Sequence, residues 1–375
     1  MDKPIRVLHV IGIMNRGGAE TMIMNLYRNI DRGNVQFDFV ENEGDEAAFD
    51  TEIKQLGGRI YHCPRYNGKN HFTYTRWWNS FFASHKGEYP IVHGHIGSTA
   101  AIYLSIAKKY GVYTIAHSHN TNAQRSMAQY IYSIFSYPTR YTADHFFACS
   151  PDAAVDRFGE HVAKDSKKCE ILRNAIDSYK FRFDPNIRSA IRNRLNIKDT
   201  AIVIGNVARF APQKNHMFLI DVFRTVHKKN PDAVLLLVGD GELRPQIEQV
   251  IAENKLYNNV IFAGVQSNIG EFYQAMDVFV FPSLYEGLGI VVIEAQAAGL
   301  PCCVSDAVPA EAALTSLVEH RSLHESTEAW ADWILKRSHS PRRDTAEAIR
   351  NAGYDIAETS VWLETFYTKV VNEHG

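Results

Sequence analysis

Short apolar runs recur along the chain, each bounded by Gly, Pro, Asn or Asp and separated by longer stretches of mixed polarity. A short continuous apolar run between turn residues reads as a strand covered on both faces, as parallel sheets require. In the first half such runs fall at residues 6–11, 36–40, 59–63, 91–94, 113–117 and 145–148. In the second half they fall at 201–207, 233–238, 260–263, 278–281 and 302–305. The intervening stretches suit helices, so the pattern predicts an α/β chain of two doubly wound parallel sheets in tandem. Neither a short-period repeat nor a low-complexity segment interrupts it.

Length agrees with two cores, because 375 residues exceed what one ordinary domain uses. The boundary is expected near Asn174-Ala175-Ile176-Asp177, followed by the polar, basic stretch 178–197, with a new strand after Asp199-Thr200. This gives domains 1–177 and 178–354. Residues 355–371 have helical spacing with large apolar groups at Ile356, Val361, Trp362, Phe366 and Tyr367.

Apolar content of 45% and charged content of 22% are those of an ordinary globular protein. A formal net charge of −2 gives no general drive toward nucleic acid, and none is expected as a partner. Five cysteines form neither a C-x-x-C pair nor a disulfide framework, which points to a reducing compartment. The apolar stretch at the N-terminus is broken by Arg6 and His9 and reads as a first strand, not a signal peptide. No apolar run approaches the roughly 20 residues that span a bilayer. The expectation is a cytoplasmic protein whose membrane contact, at the inner face of the cell membrane, is peripheral.

The most informative segment is Phe281-Pro282-Ser283-Leu284-Tyr285-Glu286-Gly287-Leu288-Gly289-Ile290, continuing to Glu294. A buried strand ends at Pro282, a glycine-bearing turn follows, and a helix is expected to about Ala298, capped by Gly299 before Pro301. The reading places Glu286 just before that helix and Glu294 about two turns into it, roughly 9–12 Å apart at about 1.5 Å per residue. Free amides at Gly287, Leu288, Gly289 and Ile290 would favour phosphate between the two carboxylates. Such an arrangement suits a sugar nucleotide: Glu286 accepts from sugar hydroxyls, Glu294 from ribose hydroxyls, and the amides hold the diphosphate.

Two glutamates eight positions apart inside Pro-Ser-x-x-Glu-Gly-x-Gly resemble the signature of retaining glycosyltransferases of family 4. The resemblance extends over nearly the whole chain through Gly-Gly-Ala-Glu-Thr at 17–21, His-Ser-His-Asn at 117–120 and Gly-Tyr-Asp-Ile at 353–356, and is nearest to exopolysaccharide and capsule members. It implies the GT-B fold, two Rossmann-like domains facing each other across a cleft, with segment 355–375 crossing back to the first. A helix simply capping the second domain fits the sequence of that segment nearly as well. At 174–177 the chain has Asn-Ala-Ile-Asp where the family usually has Asn-Gly-Ile-Asp, which puts one backbone turn in question.

Other motifs complete the expected site. Arg209 and Lys214 lie in the loop after the first strand of the second half, at the sheet edge where open α/β sheets bind ligands. In the family such an Arg and Lys hold the diphosphate and stabilise the leaving phosphate. Gly17 and Gly18, after the first strand, resemble the family's loop near donor phosphates and acceptor, and a tight strand-to-helix turn explains them equally well. Gly239 and Gly241 resemble its glycine segment near the nucleotide, and an ordinary βα turn accounts for them as well. His117 and His119 both fit the histidine that faces the reacting sugar. His93/His95 and His117/His119 are each spaced for one side of a strand, but no third ligand cluster is evident and no metal is expected. Nor does any Asp-x-Asp occur to hold one on the diphosphate.

Aromatic residues mixed with cations between Tyr66 and Tyr89, and between Tyr130 and Tyr141, suit either core packing or an anionic membrane surface. The resemblance implies transfer from a nucleotide diphosphate sugar, with uridine as the base, to a saccharide or lipid-linked saccharide. No cofactor or metal is implied beyond that substrate. A sugar-nucleotide epimerase, a sugar phosphorylase, and a non-catalytic nucleotide-sugar-binding subunit of a polysaccharide assembly complex are the alternatives.

Overall fold

The computed structural model describes residues 3–42, 44, 46–119 and 134–374. It divides into two compact units, Met1–Ala175 with Asp355–Gly375, and Ile176–Tyr354.

The first unit holds a seven-stranded sheet in the order β3-β2-β1-β4-β5-β6-β7. Its strands are β1 Ile5–Ile11, β2 Val35–Glu41, β3 Ile60–His62, β4 Ile91–Gly94, β5 Tyr113–Ser118, β6 His145–Ala148 and β7 Cys169–Ile171. Every ladder is parallel. Apolar side chains alternate between two cores, one on each face, which is why these runs lack a polar phase. The C-terminal helix Ile356–His374 belongs to this unit and covers one face: Leu363 and Tyr367 are buried among Val7, Phe37, Ile115 and Phe147.

The second unit holds a six-stranded parallel sheet, β10-β9-β8-β11-β12-β13. Its strands are β8 Val203–Val207, β9 Val234–Val238, β10 Val260–Gly264, β11 Val278–Phe281, β12 Cys302–Ser305 and β13 Val318–Arg321. The polar stretch before β8 is not a bare linker. It forms helices Ser178–Phe181 and Pro185–Arg194, and two of its cations point inward: Arg188 and Arg192 both donate to Asp277, at 2.6 and 2.7 Å.

Two strands escape the apolar pattern. β7 is only three residues long, and β13, Val-Glu-His-Arg, is a half-exposed edge strand with charges on it. Ala175, at the position where the family carries glycine, is not among the residues with positive φ, so this turn tolerates a side chain. The aromatic segment 66–89 is largely core: Tyr74, Trp78, Phe81 and Phe82 are buried together on the helix His71–Ser84. Of the second aromatic segment, residues 130–133 lie outside the described residues, whereas Ile134, Phe135, Tyr137 and Tyr141 are exposed. All five cysteines are buried and unpaired.

Candidate functional site

In the second unit the decisive loop leaves β8. Asn206 anchors it by donating from Nδ2 to the Val280 carbonyl of β11 at 2.8 Å, which ties the ends of the two neighbouring strands together. The loop closes with Gln213 bridging to the next turn: its Nε2 donates to Tyr285 O at 2.7 Å, and its own carbonyl accepts from Leu284 N at 2.8 Å. Asn215, in the left-handed region at φ 52°, ends the loop and starts the helix His216–Lys229. These clamps fix Lys214 against the segment that carries Glu286. The Lys214 ammonium donates to Glu286 Oε1 at 2.6 Å and sits 4.9 Å from the centre of the Phe281 ring. Both side chains are largely withdrawn from water, 18% and 7% exposed. Arg209, by contrast, reaches outward and is 74% exposed, with a 3.1 Å contact to Glu242.

After β11 the turn runs to Gly289, whose φ of +81° is the left-handed conformation that glycine adopts without strain. The helix Ile290–Ala297 therefore starts later than the sequence suggested. Glu294 is its fifth residue, just over one turn in instead of two, because the turn absorbs seven residues from Ser283 to Gly289. No side chain caps this N-terminus, and Ile290 and Gly289 are half-buried there, so its first amides are available to an anion. Gly287 is half-buried and Leu288 buried in the same turn. Glu294 is buried and accepts a hydrogen bond from the Tyr273 hydroxyl at 2.9 Å. Burial pushes its carboxyl up to about 7, against the opposing pull of Tyr273 and Lys180.

Gly239 and Gly241 have a packing reason within the chain itself. A Cβ at Gly239, where φ is +138°, would lie 1.9 Å from the Ala208 carbonyl oxygen, and one at Gly241 would lie 2.6 Å from that of Phe210. The close backbone approach at these positions is thus to the 208–210 loop that carries Arg209.

In the first unit, Gly17 is the N-cap of the helix Gly18–Asn29, with no side-chain cap. The Glu20 carboxylate folds over Gly17, 2.2 Å from where a Cβ would be, while Gly18 has open space around it. Burial raises the Glu20 carboxyl above its usual range. Behind this loop Glu41, at the end of β2, accepts from Met14 N at 3.0 Å, and burial raises it to about 7.

His117 and His119 stand at the end of β5, next to β4 with His93 and His95. The expectation that no third ligand cluster exists is corrected here. His9 of β1 pairs in register with His93, and five imidazoles form one array. His9 Nδ1 is 3.0 Å from His95 Nε2, whose ring contacts His119 through Nδ1 at 2.7 Å. His93 Nε2 is 3.1 Å from His117 Nδ1, and His93 Nδ1 is 2.7 Å from the Tyr367 hydroxyl of the C-terminal helix. Two triads, His9/His93/His95 and His95/His117/His119, each place one nitrogen per residue within 4.8 Å of the others. Burial keeps all five rings neutral at pH 7: His9 is pushed down to about 3, His119 to about 4, and the other three well below the usual range. The signal was present in the sequence, since His-x-His on two adjacent strands with matched parity puts four rings on one face. Only the strand order adds His9, and only the packing of the last helix adds Tyr367.

Comparison with known proteins decides the family. Residues 187–355 match the model described as glycosyl transferases group 1, and residues 16–179 match glycosyltransferase family 4. EpsF of Bacillus subtilis (strain 168) is 36% identical over 365 residues, which cover 94% of each chain. The chain belongs to the group 1, family 4 glycosyltransferases. Within this family, the Escherichia coli UDP-Gal:alpha-D-GlcNAc-diphosphoundecaprenol alpha-1,3-galactosyltransferase is 27% identical over 227 residues, 59% of each chain. Among solved structures, Anabaena HepE in complex with UDP superposes with a TM-score of 0.77 at 17% identity, covering 97% of this chain and all of that one. WaaG, a glycosyltransferase involved in lipopolysaccharide biosynthesis, gives 0.71 at 17% identity over 96% of this chain and 99% of that one. The fold of this family member is accordingly GT-B, with two Rossmann-like parallel-sheet units. No helix among the described residues is long and apolar enough to cross a membrane.

Proposed function

We propose that this glycosyltransferase moves a hexose or N-acetylhexosamine from a uridine diphosphate sugar to a lipid-linked saccharide, with retention at the anomeric carbon, in exopolysaccharide or capsule biosynthesis. The observation that carries this reading is the Lys214–Glu286 pair beside an uncapped helix N-terminus, with buried Glu294 one turn further on. Cation, amides and two carboxylates match the phosphate, sugar and ribose parts of such a donor. Relatives support the substrate class: the E. coli protein is named for UDP-galactose and a diphosphoundecaprenol acceptor, and one Anabaena HepE structure is titled as a complex with UDP-glucose.

In the proposed reaction the acceptor hydroxyl oxygen attacks the anomeric carbon from the face that the diphosphate leaves. The carbon–oxygen bond to phosphate breaks as the new glycosidic bond forms, and the hydroxyl proton passes to the departing phosphate. Lys214, Arg209 and the helix amides stabilise the charge that accumulates on that phosphate. Lys214 would exchange part of its contact with Glu286 for phosphate, freeing the carboxylate for a sugar hydroxyl. No divalent ion is needed for this step in the proposal. The exposed group Ile134, Phe135, Tyr137 and Tyr141, with Arg140 stacked 4.2 Å over Tyr137, supports peripheral contact with the membrane that bears the acceptor.

Calorimetric titration with several uridine and guanosine diphosphate sugars tests the donor, followed by product analysis with and without a lipid-linked acceptor. Binding of guanosine donors alone would overturn the base assignment. Conversion of the donor sugar without acceptor would favour an epimerase.

A further inference from the structure

We propose that His95, His117 and His119 form a binding site for a divalent transition metal of the zinc class, with three imidazole ligands and one open position.

Three observations carry it. One nitrogen from each ring already lies within 4.8 Å of the others, with His117 in β5 and His95 and His119 immediately past the ends of β4 and β5, where His95 N is tied to Val10 O at 2.8 Å. Zinc bound at about 2.0–2.1 Å by tetrahedral ligands needs nitrogens about 3.3 Å apart. Binding would draw together nitrogens that now stand up to 4.8 Å apart and widen the 2.7 Å contact between His95 Nδ1 and His119 Nε2. Those two nitrogens now share one proton, which an ion would replace.

Outer partners are in place for two of the three ligands, while His119 Nδ1 is buried without one among the described residues. A ligating imidazole normally gives its second nitrogen to a fixed acceptor, which sets its tautomer and orientation. His95 Nε2 faces His9 Nδ1 at 3.0 Å, and His117 Nδ1 faces His93 Nε2 at 3.1 Å. His93 Nδ1 in turn reaches the Tyr367 hydroxyl at 2.7 Å, so the chain of donors ends on an oxygen. This leaves His117 Nε2, buried and with no hydrogen-bond partner among the described residues, as the free nitrogen of that ring. A buried nitrogen left without a partner is costly, and a bound ion would satisfy it.

Access and ligand type select this triad and this metal class. Two rings of the other triad, His9 and His93, are each 1% exposed, whereas in this one only His117, at 5%, is buried and His95 and His119 are half-buried. An all-imidazole set with no carboxylate suits zinc, cobalt, nickel or copper and not magnesium or calcium.

The test uses the full chain, stripped of metal by chelation and dialysis, and involves no sugar donor, so it stands apart from the transfer reading. Cobalt(II) is titrated in by visible absorption and zinc(II) by calorimetry. One ion per chain is expected, with cobalt bands of a low-coordinate nitrogen site that zinc abolishes. His95→Ala and His119→Ala should each lower zinc affinity by about 10–100-fold or more, while His324→Ala, at an exposed position of the other unit, should not change it. Circular dichroism confirms that each variant is folded, and His119→Asn replaces any that is not. Absence of binding to the folded wild-type chain overturns the proposal. So does unchanged affinity in both folded variants.

Discussion

Lys214 and Glu286 are joined by a 2.6 Å ion pair, although they come from loops after different strands of the second sheet. The pair keeps the lysine extended and largely dry before any donor arrives, so little side-chain entropy remains to be lost when phosphate binds. Replacing Lys214 with Ala should lower turnover by roughly 10- to 150-fold, the equivalent of about 1.5–3 kcal/mol for a charge-assisted contact. Steady-state kinetics with saturating acceptor checks this. Wild-type kinetics would make Lys214 a structural partner of Glu286 and nothing more.

Arg209 makes a cleaner test of function against fold. Its pair with Glu242 is exposed and screened by water, so it adds little to stability. Arg209→Ala should leave the thermal midpoint within error while reducing turnover by a similar order to Lys214→Ala. A variant with unaltered kinetics would mark Arg209 as an ordinary surface charge.

The two glutamates should fail differently, and pH should separate them further. Glu294→Ala should weaken binding of free UDP, whereas Glu286→Ala should leave that affinity nearly intact and lose transfer. The Glu294 carboxyl titrates at about 7 in the folded chain because burial disfavours its charge. Only the ionised form accepts freely from ribose hydroxyls, so UDP affinity should rise between pH 6 and 8 more steeply in wild type than in Glu294→Gln. Stability runs the other way. A carboxyl raised on folding binds more protons in the native state, so its favourable contribution, complete below about 4.5, is lost as pH rises through about 7. Calorimetry for binding and denaturant titration for stability, at several pH values, test both slopes. Equal slopes in wild type and Glu294→Gln would rule this carboxyl out as their source.

The strands and loops that carry the candidate residues are largely legible in the sequence, and the reasons lie in particular residues. β8 and β11 are buried on both faces, and only Asn206 interrupts their apolar runs, so their ends, and the loops bearing Arg209 and Glu286, show in the sequence. The start of the Glu294 helix was not, because Gly289 takes a left-handed conformation that delays it and periodicity does not register such a turn. β13 was missed since an edge strand half in water carries no apolar run. Gly239 and Gly241 were seen as glycines with two possible reasons, and the backbone they meet lies 31 residues earlier in the chain. His9 joined the histidine array only through strand order, a nonlocal fact.

Gly239→Ala follows from that nonlocal contact. The new Cβ would sit 1.9 Å from the Ala208 carbonyl oxygen at a φ of +138°, so the backbone of one loop must move. Strain of this kind costs about 1–3 kcal/mol. The thermal midpoint should fall, and donor binding should weaken as the Arg209 loop shifts. An unaltered midpoint would mean that the 208–210 loop yields without cost.

The configuration of the product decides the proposed mechanism. If the leaving phosphate takes the acceptor proton on the face from which it departs, an α-linked donor must give an α-linked product. Phosphate stabilisation by Lys214, Arg209 and the helix amides then carries most of the rate, and added EDTA should leave turnover intact. Proton NMR of the new anomeric linkage reads the outcome directly, with the chelator control run on the same samples. A β linkage from an α donor would mean displacement from the opposite face, which requires a protein base for the acceptor hydroxyl. His117 and His119 would then be the first side chains to replace, and since burial opposes their protonation, proton removal by either would require binding of substrate to raise its basicity.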